Sequence, residues 1–196
     1  MTIPTALHAL DDDPIDRERA EAAVADLLSA LGHDIALEHL SDTPRRVVEG
    51  LLELTTPEPF AMTTFANDTG YDDLVVVRGI RFTSLCAHHL LPFRGEADVA
   101  YLPGDRLVGL SKLARVVDHF ARGLQVQESL TTQIADELES VLAPRGVGVV
   151  LRAEHLCMSI RGARAAESMT ETTAFRGALQ ADDGLRRRIL DEGRRS

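Results

Sequence analysis

"GVGVVLRAEHLCM" (146–158) reads as a β-strand, and its parity organises the rest of the chain. In a strand, residues two apart share a face. Val147, Val149, Leu151, Ala153, His155 and Cys157 therefore line one side. The first four are apolar, and the last two carry chemistry. The pattern predicts a buried sheet face that opens into a pocket at its end, with His155 and Cys157 pointing the same way.

Other strands lie on either side. "LVVVRGIRFTSL" (74–85) is β-branched, "GEADVAYL" (95–102) continues the pattern, "PGD" (103–105) is a turn, and "TETTAFRG" (170–177) gives a last strand. Two helices fall between them. "SKLARVVDHFARG" (111–123) puts Leu113, Val116, Val117 and Phe120 on one face, with Ser111 as its cap. "QVQESLTTQIADELESVLAP" (125–144) has a stripe of Leu130, Ile134, Leu138, Val141 and Leu142.

Upstream, the spacing of Ala20, Val24, Leu27, Leu28 and Leu31 predicts a helix from Asp16 to Leu31, stopped at Gly32. "SDTPRRVVEGLLEL" starts a second helix, with Thr43 as cap, Pro44 in the first turn, and Val47, Val48, Leu51 and Leu52 facing inward. "TTPEPF" (55–60) is a break. Residues 1–13 read as a loose arm, and "GLRRRILDEGRR" near the end as a short exposed helix. The order is helix-helix, strands, two helices, strands. Without βαβ alternation this is an α+β fold with a largely antiparallel sheet. Residues 1–65 form an arm and helical segment, and 66–196 the main domain.

The chain has two cysteines, each beside a histidine: Cys86 in "SLCAHHLLPF" (84–93) and Cys157 in "AEHLCMSIRG" (153–162). Cys86 and His89 have the offset that lets a tight turn offer both side chains to one ion. With Cys157 they make two thiolates and an imidazole, a set natural for Zn²⁺. Three protein ligands leave a position for water, as catalytic zinc sites do, with His88 and His155 nearby as bases. Two other readings stay open on spacing alone. The thiols could be simply buried, or His88 or His155 could close a four-ligand structural site.

Composition narrows the function. The formal net charge is −10, a poor match to nucleic acid or an anionic membrane. No apolar run approaches the roughly 20 residues of a membrane span, and the N-terminus does not read as a signal peptide. With too few cysteines for a disulfide framework, the expected location is the cytoplasm, where thiols stay free for metal. Twenty of the 21 basic residues are Arg; the one Lys is Lys112.

"SLCAHHLLPF", "GLSKLARVVDHFARGLQVQE" (109–128) and "HLCMSIRG" (155–162) resemble, in order and spacing, the signature segments of GTP cyclohydrolase I, and "DTPRRV" (42–47) is similar to the family's N-terminal helix motif. The resemblance runs from about residue 40 to 180. It implies the tunnelling (T-) fold, an antiparallel sheet with two helices on one side, closed into pentamers that stack as a homodecamer with active sites between subunits. It implies hydrolysis of GTP at guanine C8, with loss of formate and formation of 7,8-dihydroneopterin triphosphate, the first step of tetrahydrofolate and biopterin synthesis.

By the same resemblance Cys86, His89 and Cys157 hold zinc, which brings the pKa of a water toward neutrality. His88 and His155 are the proton carriers. Glu128 accepts from the guanine N1–H and 2-amino group, with Gln127 beside it. Arg46, Ser111, Lys112, Arg115 and Arg161 take the triphosphate, which a chain of net charge −10 would otherwise repel. The chain departs from the family at Ala87, where Glu is common, and at Ser129, where Arg is common. Neither is a ligand or proton carrier; both bear on rate and substrate. A zinc nucleoside deaminase would need H-x-E and P-C-x-x-C, and the chain has neither. A zinc-stapled, non-catalytic purine- or pterin-binding module would keep the ligands and the basic cluster but need no proton carriers.

Overall fold

The computed structural model describes residues 15–190. The arm expected over 1–13 and the last residues of the tail lie outside that range. In chain order the elements are α1 (Arg17–Ala30), α2 (Thr43–Thr55), β1 (Thr64–Ala66), β2 (Val75–Cys86), β3 (Pro92–Leu102), β4 (Arg106–Val108), α3 (Leu110–Ala121), β5 (Leu124–Gln125), α4 (Gln127–Leu142), β6 (Gly146–His155), the single turn α5 (Leu156–Ser159), β7 (Thr170–Gly177), the single turn α6 (Ala178–Ala181) and α7 (Asp183–Leu190).

The main sheet has the order β5-β2-β3-β6-β7, and β1 pairs with β4 in a small second sheet. Within the main sheet β2, β3, β6 and β7 are antiparallel, and the two-residue β5 runs parallel to β2. α3 packs on β2, and α4 on β6 and β7. This is the α+β, two-helices-on-one-side arrangement expected of a T-fold. The helices meet the face formed by Phe93, Ala97, Val99, Tyr101, Val147, Val149, Leu151 and Ala153. From α3, Leu113, Val116 and Val117 are fully buried, as are Leu130, Ile134 and Leu138 from α4. Each such side chain contributes about 1.5–3 kcal/mol relative to exposure.

Alternation along β6 holds from Val147 to Ala153, and the opposite parity has its own partners. Val150 packs with Leu74, Ala100, Leu102, Leu179 and Ile189. The C-terminal helix is therefore not simply exposed: Ile189 is fully buried. Arg78 donates to the carbonyls of Ile189 and Arg188, satisfying free acceptors at the end of α7. Arg78 lies at a bulge in β2, where the register shifts between Val77 and Ile80. Gly79 takes φ +65° there and donates its N–H to Asp98 at 3.0 Å. Asp98 also pairs with Arg152 at 2.9 Å beneath the sheet. At the other end of β3, Gly95 lets β6 approach so closely that an added Cβ would sit 1.8 Å from the Arg152 carbonyl.

The helix starts differ from expectation by one or two residues. α2 is capped by the Asp42 position rather than Thr43, and α3 by Gly109 rather than Ser111; neither cap makes a side-chain hydrogen bond. In α2 only Val48 is fully buried, Val47 is exposed, and α1 buries no residue. Val141 on α4 is also exposed. A periodic apolar stripe marks which side faces inward, but burial also needs something opposite it.

Candidate functional site

The site forms where β2, β5, β6 and the start of α4 end together. Cys86 is the last residue of β2, and the chain turns sharply after it. The N–H groups of His89 and Leu90 both reach the Cys86 carbonyl, Cys86 N–H donates to Leu91 O, and Leu90 takes φ +54°. β5 holds this turn from the side, since Ala87 N–H donates to Gln125 O at 2.9 Å. The same short strand delivers the chain into α4, whose first turn carries Gln127 and Glu128.

Cys157 is not where strand parity put it. β6 stops at His155, and Cys157 lies in α5. Continued alternation would have placed it one step further along the sheet; a helical turn brings it back over the end of β2 instead. There the ligand atoms of Cys86, His89 and Cys157 all lie within 4.8 Å of one another. Cys86 Sγ is 3.6 Å from His89 Nδ1 and 3.8 Å from His88 Nδ1. Cys86 is buried, Cys157 half-buried and His89 exposed, so the group opens to solvent on one side.

Burial pushes the Cys157 thiol up, the neighbouring Cys86 pushes it further, and Arg161 pulls it back. The nearness of the two sulfurs disfavours the Cys157 thiolate, and a cation between them would reverse that preference. Two sulfurs and one imidazole are donors of the softness that suits zinc. The residues present therefore fit that ion.

His155 is the cross-strand partner of Phe93 and stacks on its ring, centroids 4.7 Å apart and planes parallel. Burial lowers its pKa, which favours the neutral ring, while the charge of Glu128 acts in the other direction. His155 Nε2 lies 2.7 Å from Gln127 Oε1. Gln127 is buried, with its amide wholly among protein groups, whereas Glu128 beside it is exposed. The family resemblance implies that these two sit side by side at a guanine. The structure turns one inward and the other outward, about 100° apart around the first turn of α4.

The basic residues are spread out. Lys112 and Arg115 are three apart on α3, and Ser111 and Arg115 are exposed. Arg161 follows α5 and is exposed. Arg46 is engaged by Asp42 on its own helix at 2.8 Å and remains 71% exposed. What the sequence reading missed is the set that holds His155: Phe93 as its stacking partner, and Thr131 and Thr172 around Gln127. Phe93 lies within "SLCAHHLLPF", but its role depends on strand register, which spacing does not give.

An antiparallel sheet with two helices on one face, ending in an open Cys-His-Cys group, is a T-fold architecture with a site that could hold a metal ion. The sequence model of the family described as GTP cyclohydrolase I matches residues 20–194. The GTP cyclohydrolase 1 of Brucella suis is 51% identical, over 93% of this chain and 87% of that protein. That of Brucella anthropi is 51% identical, over 83% and 79%. A solved structure of the archaeosine synthase QueF-Like in the apo form aligns with 19% identity and a TM-score of 0.46, over 55% of this chain and 97% of that one. The chain belongs to the GTP cyclohydrolase I family, and its activity is that of a GTP cyclohydrolase. Among the described residues no helix is long and apolar enough to cross a membrane.

Proposed function

We propose that this enzyme hydrolyses GTP at guanine C8 in a zinc-dependent reaction, releasing formate and forming 7,8-dihydroneopterin triphosphate, the first step of tetrahydrofolate and pterin synthesis. The observation that carries the reading is the convergence of Cys86, His89 and Cys157, from two distant segments, to within 4.8 Å. These three side chains would hold the ion. Zinc supplies Lewis acidity, which lowers the pKa of a water toward neutrality.

The chain's own groups do the rest. His155 and His88 exchange protons with the opening ring and with the ribose oxygen. The Glu128 carboxylate accepts from the guanine N1–H and 2-amino group. Its charge already acts on His155, which puts the guanine anchor and the proton carrier in electrical contact. Arg46, Lys112, Arg115 and Arg161 neutralise the triphosphate, with Ser111 donating to it. Among the described residues Lys112, Arg115 and Arg161 form no ion pair, so their charges are uncommitted.

In this reading residues 66–196 are the catalytic unit, residues 1–65 are an appendage, and the enzyme works in the cytoplasm as a homodecamer of two pentamers. Exposed apolar side chains support assembly: Leu27 on α1 and Leu31 at its end, Val47 on α2, and Leu110 and Ile160 beside the site's own segments. The test is to incubate the purified protein with GTP and zinc and follow formate release and the fluorescence of the oxidised pterin. Formate and pterin together, both lost in Cys157→Ala, are expected. Formate without that pterin would overturn the product assignment, and activity undiminished in Cys157→Ala would overturn the zinc site.

A further inference from the structure

The Gln127 side chain is almost completely enclosed, at 1% exposure, yet nothing about its amide is unsatisfied. Its Nε2 lies 3.2 Å from the Leu151 carbonyl, 3.0 Å from the Thr170 carbonyl and 3.0 Å from Thr172 Oγ1. Its Oε1 faces His155 Nε2 at 2.7 Å. Two of the three groups around Nε2 are backbone carbonyls, which only accept. Reversing the amide would set its oxygen against both of them, so the orientation is fixed.

The hydroxyls agree with this. Thr131 donates to the Gln127 carbonyl at 2.6 Å. Its oxygen must then receive the Thr172 proton across the 2.6 Å contact between them, and the Thr172 oxygen in turn receives from Gln127. Each hydroxyl proton has one consistent place, and the two Nε2 protons are shared among three acceptors. With Oε1 pointing at His155, and able only to accept, His155 Nε2 must carry a proton. Stacking on Phe93 holds the plane of the ring.

We propose that Gln127 is a positioning residue that commits His155 to exchanging protons through Nδ1 alone. This rests on the reading of His155 as a proton carrier. It also moves Gln127 out of the guanine-binding set, because neither polar atom of its amide is free for substrate. A histidine whose one nitrogen is tied to a fixed acceptor has a defined tautomer and a defined working edge.

The experiment uses the full-length, zinc-loaded enzyme labelled with ¹⁵N-histidine. Solid-state ¹⁵N spectra are recorded with the His155 signals assigned by difference from His155→Gln. The expected wild-type spectrum has Nε2 protonated and Nδ1 bare. In Gln127→Leu the His155 signals divide between tautomers, and kcat for GTP falls about 10- to 100-fold while KM stays within about twofold. Thr172→Val, which loosens the amide without touching His155, moves both readouts the same way by less. If Gln127→Leu does not fold, the wild-type spectrum and Thr172→Val decide. A wild-type His155 protonated on Nδ1 would overturn the proposal, as would a Gln127→Leu enzyme with raised KM and unchanged kcat. The stated tautomer with kcat unaltered in His155→Ala would overturn the premise that His155 carries protons.

Discussion

On one side of the site, Gln127, Thr131, Thr172 and His155 are interlocked, with each donor matched to an acceptor. On the other, Lys112, Arg115 and Arg161 stand without an ion pair among the described residues, and Arg46 is held by the Asp42 carboxylate at the start of its own helix. The contrast follows from solvation. A buried amide without partners costs about 1–3 kcal/mol, so the fold must complete that network before any ligand arrives. An exposed guanidinium is satisfied by water and can wait. The half of the site to which the proposed function gives proton transfer is therefore preorganised within one chain. The half to which the proposed function gives the triphosphate would be assembled by its ligand, and in the proposed oligomer by neighbouring copies.

Changes on the interlocked side, and at the Cys-His-Cys group beside it, should act on kcat or bound metal. The largest effect is expected for Cys157→Ala: bound zinc falls from about one per chain to near zero, and formate release falls to background. Next, His155→Ala lowers kcat about 10²- to 10⁴-fold with KM for GTP nearly unchanged. A rise in KM alone would erase the distinction between the two halves.

Changes on the basic side should act on binding. Lys112→Ala is expected to raise KM for GTP about tenfold or more through loss of a charge-assisted contact, with kcat preserved and the difference shrinking as salt is added. Steady-state kinetics at two ionic strengths checks this.

The smallest effect concerns the basic residue that does have a partner. The hydrogen bond from Arg45, with help from Arg46, holds the Asp42 carboxyl at about 2, below its ordinary 3.8. A carboxylate whose folded pKa is depressed stabilises the fold fully above 3.8. That contribution is lost as pH falls through about 2. Asp42→Asn should therefore lower Tm by less than about 2 °C. The difference from wild type should vanish in the acid window, and thermal melts followed by circular dichroism across pH measure it.

How much of this was legible in the sequence depended on range. The antiparallel α+β fold, the helices carrying Leu113, Val116, Leu130 and Ile134, and the apolar face of β6 all follow from local periodicity, and the structure buries those residues. The three donors were legible because only two cysteines exist and both sit by histidines. The reason they meet was not. Parity carried the strand on to Cys157, whereas the strand ends at His155 and a helical turn supplies the geometry. The bulge at Gly79, the parallel β5 that braces the Cys86 turn, and the Phe93–His155 stack all depend on register between segments far apart in the chain. No local pattern encodes that register. The outer faces of α1 and α2 show the opposite limit: a clean apolar spacing that the described residues leave exposed at Leu27 and Val47.

The most direct test of the account is X-ray absorption at the zinc edge of the purified, zinc-loaded enzyme. The account predicts two sulfur donors at about 2.3 Å, one imidazole nitrogen and one further light-atom donor that exchanges with solvent. A shell without sulfur, or one closed by a second imidazole with no exchangeable position, would contradict it.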